Sequence, residues 1–168
     1  MNTKVKKLTF AALLAALYVT LTVAQQMLLP GTANSMIQFR VSECLCVFAL
    51  INPVSIPALT IGCFVANLIM GLGTVDLILG PIATLLSLVF MRLLSNVKIK
   101  SLPVLSFISP AFFNGLIVGA ELAFFILKSD NVFSLFLISA GLVFIGEGAV
   151  MVCSVPLYFA IKDKKIFK

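Results

Sequence analysis

The chain has no histidine. That absence excludes zinc hydrolases and intramembrane metalloproteases whose metal is held by imidazole. Charge is also scarce. Only 11% of residues are charged, against about a quarter in a soluble domain. No charged residue occurs from Leu8 to Ile37, and none from Cys44 to Val75. No separate hydrophilic domain exists; the longest polar runs, Lys162 to Lys165 among them, are four residues. Gly71-Leu72-Gly73 lacks the lysine and the context of a P-loop. Uphill transport would therefore draw its energy from an ion gradient or a partner. No internal repeat supports an inverted-repeat transporter, and no nucleophile–base set points to an enzyme. The four cysteines, Cys44, Cys46, Cys63 and Cys153, match no metal or redox spacing and read as small buried residues. Neither a metal nor a cofactor is expected.

What is present is apolar. The chain is 61% hydrophobic, with a mean hydropathy of +1.19. One soluble core cannot hide that many apolar side chains in 168 residues, so lipid is the solvent for most of the surface. A single integral membrane domain over 1–168 is expected. The net charge of +6 comes from cations at the chain ends and in one loop. That distribution fits positive-inside topology rather than nucleic-acid binding. The cationic start and apolar run resemble a signal peptide, but the run is too long. It ends in Gln25-Gln26-Met27-Leu28-Leu29-Pro30 without a small-residue cleavage site, so it reads as a retained helix.

Apolar runs and breakers place helices at 8–29, 41–51, 54–72, 77–94, 102–127 and 132–161. Counting 41–72 as two spans puts the loop from Arg92 to Lys100 and the lysine-rich tail on the side of Lys4, Lys6 and Lys7. The expected fold is thus an all-α membrane protein, a six-transmembrane-helix bundle with both termini cytoplasmic. The second and third helices are cramped, so one of them is expected to be short, tilted or irregular.

The polar patch Gln38-Phe39-Arg40-Val41-Ser42-Glu43 separates two long apolar runs. In the six-helix arrangement Arg40, Glu43 and Asp76 lie at the outer ends of helices. Glu121 lies about two turns below one, Asn67 lies in the outer part of the third helix, and Glu147 and Asn114 lie near mid-helix. A charge at the bilayer centre costs about 2.5–3.5 kcal/mol on insertion scales. These side chains therefore face the interior. One arginine cannot neutralise four carboxylates, so protonation or a cationic or donor-rich ligand is implied. Glu121, Glu147, Asn114, Asp76, Gln38, Arg40, Glu43 and Asn67 form the candidate substrate site. Phe39, Phe112, Phe113, Phe124 and Phe125 are available to stack on a planar ring. On the first helix, the pairs Ala11/Ala15 and Ala12/Ala16 form a smooth stripe for close helix approach, within the bundle or against a partner.

These residues resemble a known family. The run Gln38 to Glu43, then Ile61-Gly62-Cys63-Phe64-Val65-Ala66-Asn67-Leu68, then Gly71-Leu72-Gly73-Thr74-Val75-Asp76 with Gly80 and Ala83-Thr84-Leu85, is similar to the QueT family. These are substrate-binding S components of energy-coupling factor transporters. The resemblance implies uptake of a queuosine precursor or a queuine-like deazaguanine base across the bacterial cell membrane. It implies a membrane T subunit and two cytosolic ATPase subunits as partners. It also implies that Ala12 and Ala16, or in the other register Ala11 and Ala15, dock on the T subunit.

A deazaguanine presents N1–H and an exocyclic amine side by side, which one carboxylate accepts in two parallel bonds. Glu121 or Glu147 suits that role. Asp76 or Glu43 suits an aminomethyl arm, and Asn114, Asn67 or Gln38 the ring carbonyl. Arg40 is expected to pair with Glu43 and order the outer loop. Two other readings remain: an S component for another vitamin or purine-like micronutrient, and a structural membrane protein whose acids only fix helix packing.

Overall fold

The computed structural model describes residues 2–32, 38–127 and 131–164, and within them the fold is helical. Helix α1 runs Thr3–Leu28. It begins a turn ahead of the apolar run because the Asn2 side chain accepts from Lys4 N at 3.2 Å and caps it. Its buried stripe is narrow: Leu14, Tyr18, Thr22 and Gln25. Three of those four carry polar atoms, whereas Leu8, Leu13, Leu17 and Met27 are exposed. The helix therefore turns a polar seam inward and an apolar face outward, the arrangement that suits a lipid surround.

The next segment is irregular. It leaves Arg40 as a 3-10 helix, Val41–Val47, and closes as the single turn α2, Phe48–Ile51. Its length is on the order of 20 Å, short of the ~30 Å hydrocarbon core. Helix α3 is Ser55–Met70 and α4 is Thr74–Leu93. Helix α4 starts three residues before the expected 77, which puts Asp76 in its first turn. Helix α5, Val104–Glu121, passes into a π-helical segment, Leu122–Ile126. The long apolar run at 132–161 is two helices, α6, Val132–Cys153, and α7, Val155–Ile161. Ser154 breaks it, its hydroxyl donating to Met151 O at 2.7 Å, and Pro156 supplies no N–H to continue the ladder.

Four stretches are long and apolar enough to cross a membrane: Thr3–Leu28, Thr74–Asn96, Val104–Ile126 and Val132–Ile161. Two shorter apolar stretches, Val41–Ile51 and Ser55–Met70, complete the set among the described residues. Neighbouring helices pack in chain order, α1 on α3, α3 on α4, α4 on α5 and α5 on α6. Phe10 of α1 meets Phe48 of α2 edge to face, ring centroids 6.1 Å apart. The start of α1 thus lies at the same end as the close of α2. Arg92, near the end of α4, donates to Ala49 O at 2.8 Å at that same end. The expected loops at 31–38 and 128–131 fall largely outside the described residues, as do Lys165 and Lys168.

Candidate functional site

The polar seam of α1 is the base on which the site is built. Tyr18 donates its hydroxyl to Glu43 Oε1 at 2.5 Å, and the Cys46 thiol donates to Glu43 Oε2 at 2.8 Å. Thr22 donates to Ser42 Oγ at 2.7 Å. One turn on, Gln25 holds the extended backbone before the 3-10 helix. Its Oε1 accepts from Val41 N at 2.8 Å, and its Nε2 donates to Phe39 O and to Thr32 Oγ1. On the opposite side of this strand-like piece, the Gln38 carbonyl lies directly against Gly146 of α6. A Cβ at position 146 would overlap that carbonyl oxygen. The segment Gln38–Arg40 is thus clasped between α1 and α6.

That clasp sends Arg40 into the bundle, where it is buried. Its Nη2 stands 3.8 Å from Asp76 Oδ2, and its Nη1 lies 4.0 Å from Cys63 Sγ on α3. Asp76 sits in the first turn of α4, where the exposed N–H groups favour a carboxylate. Asn67 fixes the turn between α3 and α4 by donating Nδ2 to Asp76 O at 3.0 Å. Gly80 makes room for that amide, since a Cβ there would lie 2.5 Å from Asn67 Nδ2. The expected partner of Arg40 was Glu43, three residues along a helix. The structure instead gives Arg40 to Asp76, because residue 40 is extended and Glu43 turns towards Tyr18 and Cys46.

Two acids are left. Glu121 and Glu147 are buried, and no donor among the described residues meets either carboxyl in good hydrogen-bond geometry, although the Asn114 amide approaches that of Glu147. Glu121 stands at the junction of α5 and its π-helical extension, within electrostatic reach of Asp76 and Arg40. Such π-helical turns are frequent at functional sites. It lines a cleft with Gln38, Leu72, Asp76, Val118, Leu122 and Ile126. Glu147 lies deeper on α6, near Glu43, Arg40 and the Asn114 amide of α5. Leaving one buried polar group without a partner costs about 1–3 kcal/mol, and more for a charged one. The arrangement therefore has unspent acceptor capacity at two levels around one guanidinium. It can take a ligand rich in N–H donors or a cation.

The structure gathers Gln38, Asp76 and Glu121 on the cleft, with Arg40 beside them and Glu147 and Asn114 behind. Asn67 positions Asp76 through its backbone, and Glu43 finds both its donors within the protein. The aromatic wall is not formed. Phe39, Phe112, Phe124 and Phe125 are exposed on the outside of the bundle, and Phe113 packs on Phe90 with ring centroids 4.8 Å apart. Their apolar rings face the surround because the interior is already filled by the polar cluster and small residues. The two alanine pairs separate. Ala12 and Ala16 are exposed, while Ala11 and Ala15 are half-buried towards the bundle, where Ala11 packs on the core and Ala15 lies against Gly62 of α3. Tyr18, Thr22 and Gln25 were not among the expected site residues. Their spacing of four and three within an apolar run marks one helix face and was the available signal.

The model of a family described as QueT transporter matches residues 8–163. Searches of curated proteins and of solved structures return no match.

Proposed function

The chain belongs to the QueT transporter family, and from that premise we propose that it is the substrate-binding S component of an energy-coupling factor transporter. It binds a queuosine precursor or queuine-like deazaguanine base at the outer face of a bacterial plasma membrane. Six segments cross the bilayer, with both termini in the cytoplasm, so that Lys4, Lys6, Lys7, Lys98, Lys100 and the C-terminal lysines lie inside. The energy comes from a T subunit and two cytosolic ATPases, with Ala12 and Ala16 on the exposed face of α1 as the docking stripe.

One observation carries this reading: the orphan carboxyl oxygens of Glu121 and Glu147 beside a guanidinium already engaged by Asp76. The edge of a deazaguanine supplies two parallel N–H donors to one carboxylate, and an aminomethyl arm supplies a cation to the second acid. Asn114 or Gln38 meets the ring carbonyl. The cleft at Glu121 measures about 90 Å³, below the ~300 Å³ at which ligand pockets usually begin. A bicyclic base therefore enters only as the Gln38–Arg40 segment or the π-helical turn moves outward.

The test is a thermal-shift series on the purified chain with deazaguanines, purines and vitamins. Stabilisation by the deazaguanines alone is expected. Stabilisation by a vitamin or purine instead would reassign the substrate. No shift with any of them, in a folded sample, would favour acids that serve only helix packing.

A further inference from the structure

The opposite end of the bundle holds a second cavity that the transport reading does not use. It measures about 500 Å³ and is lined by Leu50, Ile51, Ser95, Asn96, Lys98, Ser101, Pro103, Tyr158, Lys162 and Asp163. Three parts of the chain converge there: the close of α2, the connection from α4 to α5, and the end of α7. The floor is apolar, with Pro103 and Tyr158 buried, and the rim is polar, with Lys98, Ser101 and Lys162 exposed. Lys162 is held in place, its Nζ lying 4.7 Å from the ring centroid of Phe159.

The rim is also strained. Lys100 and Ser101 both have positive φ, 48° and 71°, although neither is glycine. Reciprocal backbone hydrogen bonds of 2.9 and 3.0 Å between Ile99 and Leu102 pin this tight turn. Left-handed non-glycine residues cost free energy and gather at ligand clamps and switch regions. Here the strained turn carries Ser101 onto the rim and sets Lys98 just before it. Lys98, Lys162, Ser95, Asn96 and Ser101 thus line one half-open space above an apolar floor. Asp163 is the only acid on that rim, and among the described residues it is the only one accompanying Lys4, Lys6, Lys7, Arg92, Lys98, Lys100, Lys162 and Lys164 at this end.

We propose that this cleft binds a phosphate group, from the headgroup of an anionic glycerolipid or from free phosphate. Several acceptor oxygens on one tetrahedral centre match ammonium, hydroxyl and amide donors arriving from different elements. The apolar floor suits the glycerol and first acyl carbons of a lipid, and basic pockets between membrane helices hold anionic headgroups in this manner. Binding there fastens α7 to the α4–α5 connection and sets how this end of the bundle sits at the bilayer surface.

The test is native mass spectrometry of the full chain after incubation with phosphatidylglycerol or phosphatidylcholine. One retained phosphatidylglycerol is expected, with at least about tenfold less phosphatidylcholine. The double variant Lys98→Gln/Lys162→Gln should lower phosphatidylglycerol retention about tenfold, whereas Lys100→Gln, which removes a charge outside the lining, should not. Excess inorganic phosphate decides the source. Displacement of the lipid identifies the phosphate group alone as sufficient, and no displacement identifies the lipid. Equal retention of the two lipids by the unaltered chain would overturn the proposal without reference to any variant. So would undiminished retention by the double variant.

Discussion

Tyr18 and Glu43 lie 25 residues apart in the chain and meet through a hydrogen bond of 2.5 Å in the centre of the bundle. The bond joins α1 to the 3-10 helix and turns Glu43 away from Arg40. Tyr18→Phe keeps the ring but leaves Glu43 Oε1 without its donor. A loss of about 1–3 kcal/mol follows, read as a lower unfolding temperature in detergent. Substrate affinity per folded molecule should change little, because Glu43 serves the scaffold. A large loss of affinity with unchanged stability would place Glu43 in the ligand's reach instead.

Arg40 is the guanidinium around which Asp76, Glu121 and Glu147 are arranged. Removing one partner of a buried ion pair costs about 3–5 kcal/mol, because the other charge is left unpaired. Arg40→Gln should therefore be strongly destabilising and should not bind substrate. Combining it with Asp76→Asn removes the orphaned charge. The double variant should recover part of the lost unfolding temperature while still failing to bind. A double-mutant cycle in unfolding temperature checks the coupling.

The Gln38 carbonyl fits against α6 only because position 146 has no side chain. Gly146→Ala should push the Gln38–Arg40 segment outward and displace Arg40 from Asp76. We expect at least about a tenfold loss of substrate affinity, roughly 1.4 kcal/mol. The isolated subunit checks this by calorimetry. Gly148 of α6 meets open space instead, and Gly148→Ala should bind as the unaltered chain does.

The alanine pairs of α1 divide by face. Ala12→Leu and Ala16→Leu alter an exposed surface, so unfolding temperature and substrate binding should hold while uptake in cells falls away. Ala11→Leu and Ala15→Leu force bulk against the core and against Gly62. Overpacking of that kind costs about 1–3 kcal/mol and should lower the unfolding temperature directly. Uptake that survives Ala12→Leu and Ala16→Leu would remove the exposed stripe from the docking role.

Much of the architecture could be read from composition and breakers. The charge-free runs from Leu8 and from Cys44 announce a helical membrane protein, and Asn52-Pro53 marks the end of a short second segment. Boundaries were less legible where side chains decide them. Asn2 extends α1 backwards by capping it, and Ser154 with Pro156 divides α6 from α7. The acids of the candidate site stood out because charge is scarce. Which acid meets which partner did not, since Arg40–Asp76 links residues 36 positions apart. The inward polar seam Tyr18–Thr22–Gln25 was hidden among residues that read as ordinary span. Most of the phenylalanines available for stacking instead face outward, because a phenyl ring in lipid needs no partner, so its presence beside a polar residue in sequence says little about a pocket.

The most direct measurement is a calorimetric titration of the purified chain with an aminomethyl-bearing deazaguanine, repeated on Glu121→Gln and Glu147→Gln. Gln keeps the volume of Glu but replaces one acceptor oxygen by a donor. The account predicts saturable binding of one ligand per chain, weakened at least about tenfold in each variant at unchanged unfolding temperature. Unaltered affinity in both variants would contradict it.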